Sequence, residues 1–129
     1  GKSLLLFPEG TRSTDGAMLP FQGSIGYLAL SSGRAVLPMY LWGTFEAMPK
    51  GSSLLPRARR IGARIGASLQ PPHLAALAEG VSRSEAYRRV AVLVQRCVEA
   101  LRDEHTYQPD VLVASLLERA HAEAEESPA

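Results

Sequence analysis

Five consecutive residues near the start of the chain form a candidate loop for holding an anion. They are Glu9, Gly10, Thr11, Arg12 and Ser13. Arg12 presents a planar fork of donors that fits a phosphate, and the hydroxyl groups of Thr11 and Ser13 add further donors. Gly10 lets the backbone come close to a ligand. The pattern favours an anion-binding loop, with an ordinary surface turn as the alternative.

The apolar run just before this loop predicts the element that positions it. Residues 4–7 (Leu-Leu-Leu-Phe) show no polar alternation, which is typical of a strand covered on both faces. Pro8 cannot donate to a sheet ladder, so we expect the strand to end there. The loop then lies at the carboxyl end of a strand, where open α/β sheets bind ligands.

A helix and a second strand are predicted next. The apolar spacing from Ser24 to Ser32 indicates a helix, which Ser24 could cap and Gly33 could end. Residues 35–42 then form an apolar strand that stops at Gly43. A strand, a helix and a strand at this spacing predict a parallel, right-handed βαβ unit. We therefore expect the α/β class, a mixed or parallel sheet with flanking helices.

The string at residues 7–13, Phe-Pro-Glu-Gly-Thr-Arg-Ser, resembles the signature of the glycerolipid acyltransferase family, of the 1-acylglycerol-3-phosphate acyltransferase type. The resemblance implies that the phosphate of the acyl acceptor is bound by Glu9, Gly10, Thr11 and Arg12. Many family members carry a basic residue where this chain has Gln22, and that departure implies a weaker phosphate contact or a different headgroup.

A second block, residues 37–44, extends the resemblance. It is similar to the family's run of a proline, several apolar residues and Gly-Thr, and it implies that Pro38, Gly43 and Thr44 lie on the acyl-donor side. Apart from the family, Pro38 within a strand predicts a bulge or an edge position. The resemblance is firm over residues 1–44, looser to about residue 72 and absent beyond.

The family's general base belongs to a His-x-x-x-x-Asp block that precedes the phosphate block. Nothing precedes Gly1 in this sequence, so the resemblance implies a carboxyl-terminal portion with no catalytic residue of its own and a base upstream. His105 and Asp110 match the spacing, but they follow both blocks and Pro109 interrupts them. We expect this pair to be coincidental.

The implied reaction moves a fatty acyl group from acyl-coenzyme A or acyl carrier protein to the hydroxyl of a lysophosphatidate-like acceptor, in phospholipid biosynthesis. The implied partners are a lysophospholipid, acyl-coenzyme A and an anionic membrane surface, with the protein on the cytoplasmic side, peripheral or anchored by a segment outside this chain. The alternative is a non-catalytic module that binds phospholipid or an anionic membrane. No cofactor and no metal site are expected.

Composition sets broader limits. The 129 residues suffice for one domain, and a net charge of +1 argues against nucleic acid as the partner. No apolar run approaches the roughly 20 residues of a membrane-spanning helix. Cys97 is the single cysteine, and its apolar neighbours indicate a core residue rather than a nucleophile.

The rest of the chain is interpreted from pattern alone. Alternation predicts a strand with Arg60, Gly62 and Arg64 on a basic face, and residues 61, 63 and 65 on the other. The basic face is either simply solvated or contacts anionic lipid headgroups or the phosphates of coenzyme A. Pro71-Pro72 should end that segment. Helices are predicted over about residues 82–104 and after Pro109. We expect three parts: residues 1–78 from the acyltransferase α/β domain, residues 79–126 as a helical extension, and residues 127–129 as a disordered tail.

Overall fold

The structure, a computed structural model, describes residues 2–10, 17–43 and 60–126. These residues form four helices and two strands. In chain order they are α1 (Ser24–Ser32), β1 (Met39–Trp42), β2 (Gly62–Ile65), α2 (Pro71–Ala78), α3 (Arg83–Arg102) and α4 (Pro109–Glu126). The predictions for Thr11, Arg12, Ser13, Thr44 and the tail at 127–129 lie outside the described residues.

The predicted helix α1 is confirmed at both ends. Gly33 adopts the left-handed conformation (φ 63°) that ends the helix, as a glycine readily does. The predicted cap is wrong, because Gly23 occupies the N-cap position and no side chain bonds to the first turn. Ser24 is instead the first helical residue.

Helix α3 is the long element against which the others pack. Ser82 caps it by accepting a hydrogen bond from the amide of Glu85 at 3.2 Å, as the sequence predicts. Its apolar stripe is buried, with Val90, Leu93 and Cys97 fully inaccessible to solvent. Helices α1, α2 and α4 and both strands contact α3, so the core of the described chain is built around this stripe.

The sheet differs from the prediction. Among the described residues it has two strands, β1 and β2, which pair antiparallel with Trp42 opposite Gly62 and Met39 opposite Ile65. Residues 2–7 form no strand, and Leu4, Leu5 and Phe7 are 75%, 70% and 63% exposed. An apolar run becomes a strand only beside a partner, and no described strand pairs with this one. The mixed helix and sheet content is compatible with the α/β class.

The predicted second strand is shorter than expected. Residues 35–38 lie outside β1, although Val36 makes an isolated antiparallel bridge with Leu69. Pro38 is buried, and its carbonyl accepts a hydrogen bond from the Gly66 amide at 3.0 Å. Pro38 therefore joins the pairing through its acceptor alone, as its missing N–H requires.

The two faces of β2 are the reverse of the prediction. Ile61 and Ile65 are 56% and 60% exposed, whereas Arg64 turns towards the end of α3. Strand alternation separates two sets of side chains but does not say which set points inward. The side chain of Arg64 points inward because its guanidinium donates hydrogen bonds to carbonyls of α3.

The segment after β2 ends where the sequence predicts, at Pro71 and Pro72. These residues also begin helix α2, because proline is well tolerated in the first helical turn. His73 lies in this helix. Leu74 and Leu77 of α2 are buried in the same cluster as α1, α3 and Val113 of α4. The division of the chain at residue 78 stays a prediction.

Within the described ranges, the structure contains no helix long and apolar enough to cross a membrane.

Candidate functional site

The first motif folds as a tight turn whose backbone bends at Gly10. The amide of Gly10 donates to the carbonyl of Phe7 at 3.1 Å, and Gly10 has a φ of 77°. Residues with a Cβ rarely adopt this left-handed conformation, so glycine suits the position. The turn leads into Thr11 and Arg12, the two predicted phosphate ligands that lie outside the described residues.

The segment that follows the motif holds this turn in place. The amide of Gln22 donates to the carbonyl of Pro8 at 2.8 Å, and the carboxylate of Glu9 accepts a hydrogen bond from the amide of Leu19 at 2.7 Å. Phe21, the residue before Gln22, is tied to α3, because its amide donates to the side chain of Gln95 at 3.0 Å. Glu9 thus acts as a brace within its own loop.

Gln22 has a closer relation to the motif than the sequence indicated. Its carboxamide lies against the α-carbon of Gly10, where a Cβ would overlap the Gln22 Nε2 atom. The sequence singled out Gln22 because the family often has a basic residue there. The contact with Gly10 places a neutral amide, with both donors and an acceptor, beside the predicted phosphate loop.

The second motif forms a separate corner at the end of β1. Gly43 has a φ of 83°, and a Cβ at that position would overlap the carbonyl oxygen of Arg60. The backbones of Gly43 and Arg60 therefore meet too closely for any residue but glycine. Of the three predicted donor-side residues, Pro38 and Gly43 flank β1, and Thr44 lies outside the described residues.

Arg64 is the residue at this corner that sequence reasoning missed. Its guanidinium donates to the carbonyls of Leu101 and Arg102 at 2.8 and 3.3 Å, and to a carboxylate oxygen of Glu104 at 2.9 Å. It also lies 4.9 Å from the ring centroid of Trp42, within the range of a cation–π contact. The cation predicted to face solvent instead connects β1 to the end of α3.

Both ring nitrogens of His73 have hydrogen-bond partners. The amide of Gln70 donates to His73 Nδ1 at 2.9 Å, and His73 Nε2 lies 3.0 Å from Asp110 Oδ1. The first bond requires an unprotonated Nδ1, so Nε2 carries the proton and donates to Asp110. Asp110 thus bonds to His73 of α2. The structure shows no bond between Asp110 and His105, although the two have the family's spacing.

Cys97 is the buried core residue that the sequence predicted. Its side chain is inaccessible to solvent, and burial raises the pKa of the thiol to about 12. A thiol held neutral is a poor nucleophile, because the thiolate is the reactive form. Among the residues that the structure describes, no cluster of three or more histidine, cysteine or acidic side chains could hold a metal ion.

The first motif lies in the part of the chain that matches a known protein family. The family model described as Acyltransferase matches residues 1–42. A 1-acyl-sn-glycerol-3-phosphate acyltransferase of Limnanthes douglasii is 52% identical over 50 residues, which are 39% of this chain and 18% of that protein. A chloroplastic protein of the same name from Brassica napus is 46% identical over 52 residues, 40% of this chain and 15% of its own length.

A further relative extends over more of the chain. The 1-acyl-sn-glycerol-3-phosphate acyltransferase of Chlamydomonas reinhardtii is 35% identical over 71 residues, 55% of this chain and 21% of that protein. No solved structure matches the chain. The matched region spans about a fifth or less of these relatives. The resemblance to the glycerolipid acyltransferases is therefore confirmed, with residues 1–42 matching the acyltransferase family and curated relatives aligning over about two-fifths of the chain.

Proposed function

We propose that this chain is the phosphate-binding portion of an acyltransferase that acylates a lysophosphatidate-like acceptor. The observation that carries the proposal is the string at residues 7–13, which begins within a braced turn over residues 7–10 and lies in the matched region. Arg12 is the main ligand of the acceptor phosphate, assisted by the backbone of Gly10 and Thr11.

Glu9 has a different role from Arg12 in this proposal. Its carboxylate is engaged with the Leu19 amide at 2.7 Å, and a second negative group beside a phosphate would be repelled. Glu9 therefore fixes the loop. Pro38, Gly43 and Thr44 lie on the side of the acyl donor, which is acyl-coenzyme A or acyl carrier protein.

The chemistry is a direct acyl transfer. The acceptor hydroxyl attacks the thioester carbonyl of the donor while a general base removes its proton, and the thiolate leaves and is protonated. As the resemblance implies, the histidine that serves as base is contributed by sequence upstream of Gly1. Within this chain, His73 has both ring nitrogens engaged. In the complete domain, residues 4–7 form a strand of a larger parallel sheet, which would cover their exposed apolar side chains.

The first experiment compares acyl transfer by this 129-residue chain and by the full-length protein, with acyl-coenzyme A and lysophosphatidate. Activity in the full-length protein alone supports the proposal. Activity in the short chain would place the base within it and make His105 and Asp110 the residues to substitute. Failure of both proteins to transfer acyl groups to any lysophospholipid, with retained binding to anionic vesicles, would favour the binding module.

The assignment of Arg12 has its own test in the full-length protein. Arg12→Ala should lower kcat/KM for the acceptor by about tenfold or more, since charge-assisted hydrogen bonds contribute roughly 1.5–3 kcal/mol. Arg12→Lys keeps the charge without the fork and should recover part of the loss. Arg34→Ala is the matched control, because Arg34 is an exposed arginine just beyond α1. Equal kinetics for Arg12→Ala and Arg34→Ala would exclude Arg12 as the ligand.

A further inference from the structure

The guanidinium of Arg64 is held from three sides at the end of α3. It donates to the carbonyls of Leu101 and Arg102, at 2.8 and 3.3 Å, and to Glu104 at 2.9 Å. The last carbonyls of a helix have no partner within the helix and carry partial negative charge. A cation placed there is stabilised, and a guanidinium with three bonds has little freedom to move.

The end of α3 that receives Arg64 is itself closely defined. Glu104 adopts a φ of 60°, a conformation that residues with a Cβ rarely take. The amide of His105 donates to the carbonyl of Ala100 at 2.8 Å, which closes the helix terminus. The anchor for Arg64 is therefore a fixed part of the fold rather than a frayed end.

Arg64 in turn restrains Trp42. The guanidinium carbon lies 4.9 Å from the centre of the Trp42 ring. The ring also lies over Gly62, where a Cβ would overlap the indole. Arg64 and Gly62 together leave the indole, 39% exposed, with a defined position on β1.

Trp42 is the last residue before Gly43, where the chain turns at the end of β1. We call this turn the donor-side corner, because the resemblance places Gly43 on the acyl-donor side. The next residue, Gly43, turns the chain with a φ of 83° against the carbonyl of Arg60. Trp42 pairs with Gly62 across the two strands, and Gly43 follows it directly. The contacts that hold the indole against β2 therefore lie next to the backbone of the corner.

We infer that Arg64 is a positioning residue, which fixes the donor-side corner at Gly43 by clamping Trp42 to the end of α3. The inference rests on the proposed acyltransferase function for its kinetic consequence, and on geometry alone for the clamp. Arg64 acts through Trp42 and touches no reacting atom. Its loss should therefore weaken use of the acyl donor while leaving the acceptor's KM unchanged.

The kinetic test measures both substrates in the full-length protein. Arg64→Met should raise KM for acyl-coenzyme A by about tenfold, which corresponds to about 1.4 kcal/mol, with an unchanged KM for lysophosphatidate. Arg64→Lys keeps a cation near the ring and should recover part of the effect. Arg34→Met is the matched control, because it removes the same charge at an exposed site with no side-chain bond to Trp42. An equal loss for both substrates, or equal behaviour of the two Met variants, would overturn the inference.

A double-mutant cycle separates the clamp from general stability. Trp42→Leu should raise the donor KM as Arg64→Met does, and the double variant should be no worse than either single one, since both remove the same contact. Glu104→Gln removes the ion pair but leaves Arg64 bonded to two carbonyls, so it should have little effect. Additive losses in the double variant would show that Arg64 and Trp42 act independently, which would contradict the clamp.

Trp42 also provides a readout independent of activity, because it is the single tryptophan of the chain. Arg64→Met should shift its fluorescence to the red and increase quenching by acrylamide, whereas Arg34→Met should change neither. Unchanged fluorescence in Arg64→Met would refute the clamp whatever the kinetics. Absence of acyl transfer by the unsubstituted protein would contradict the proposed function and the kinetic role of Arg64 together, while the fluorescence would still decide whether the clamp exists.

Discussion

The carboxylate of Glu9 accepts a hydrogen bond from the backbone amide of Leu19 at 2.7 Å. The bond joins two points ten residues apart, on either side of the predicted ligands Thr11 and Arg12. It acts together with the bond from the Gln22 amide to the Pro8 carbonyl at 2.8 Å. These two bonds close the base of the loop that carries the candidate site, and Glu9, a residue of the motif, makes one of them.

Replacing Glu9 should open this base. Glu9→Ala removes the acceptor, so the Leu19 amide should exchange with solvent about tenfold faster or more, given roughly 1.5–3 kcal/mol for a charge-assisted bond. Glu9→Gln keeps an acceptor oxygen and should show a smaller change. Amide hydrogen exchange by NMR measures both. Glu79→Ala, an exposed acidic residue at the end of α2, is the control, and comparable exchange in it and in Glu9→Ala would rule out the brace.

Gly10 and Gly33 offer a matched pair of alanine substitutions. Both have positive φ, 77° and 63°, so each change should destabilise the fold by about 1–2 kcal/mol. A Cβ at Gly33 would meet nothing within 4 Å, whereas one at Gly10 would displace the Gln22 carboxamide. Because that group is the flexible end of a side chain, the stability costs should be similar.

Activity should separate the same two variants. Gly10→Ala moves Gln22 and the backbone of the phosphate loop, so kcat/KM for the acceptor in the full-length protein should fall by about tenfold or more. Gly33→Ala should retain it once the folded fraction is corrected for by urea denaturation. Parallel losses in both variants would mean that the contact between Gln22 and Gly10 has no role at the site.

The helices could be predicted from the sequence because their signals are local. The apolar stripe of α3 and the Ser82 cap lie within a few turns of each other, and the bounds of α1 follow from Gly33 and the spacing before it. The first turn of α2 carried an ambiguous signal. Two adjacent prolines can end one element or begin a helix, and here α2 begins with reciprocal bonds between Gln70 and His73, three residues apart.

The sheet and the clamp at Arg64 could not be predicted, because both depend on residues far apart in sequence. Arg64 bonds to Leu101, which lies 37 residues later. Alternation along β2 could not indicate that a helix terminus would be there to receive a guanidinium. Leu4 and Leu5 illustrate the same limit, since an apolar run predicts burial but does not identify the strand that would cover it.

The crossing of α1 and α3 should tolerate no side chain at Gly26. A Cβ there would overlap the backbone carbonyl of Tyr87, and backbone cannot yield as a side chain can. Gly26→Ala should therefore lower the free energy of unfolding by about 1–3 kcal/mol, the usual cost of overpacking. Gly23→Ala is the control, because its Cβ would lie 3.9 Å from that of Tyr87. Urea denaturation followed by circular dichroism should show loss in the first variant alone.

Burial of Cys97 should make the fold weaker in alkali. Burial raises the pKa of the thiol from 9.0 to about 12, and also raises the pKa of the Tyr107 phenol. The unfolded chain therefore loses these protons first, so the contribution of these two groups to stability should be constant below about pH 9 and should fall as the pH rises towards 12. Urea midpoints at a series of pH values measure the slope. Cys97→Ala should reduce the slope, Tyr107→Phe should reduce it further, and a slope identical in all three proteins would show that neither group is buried in its neutral form.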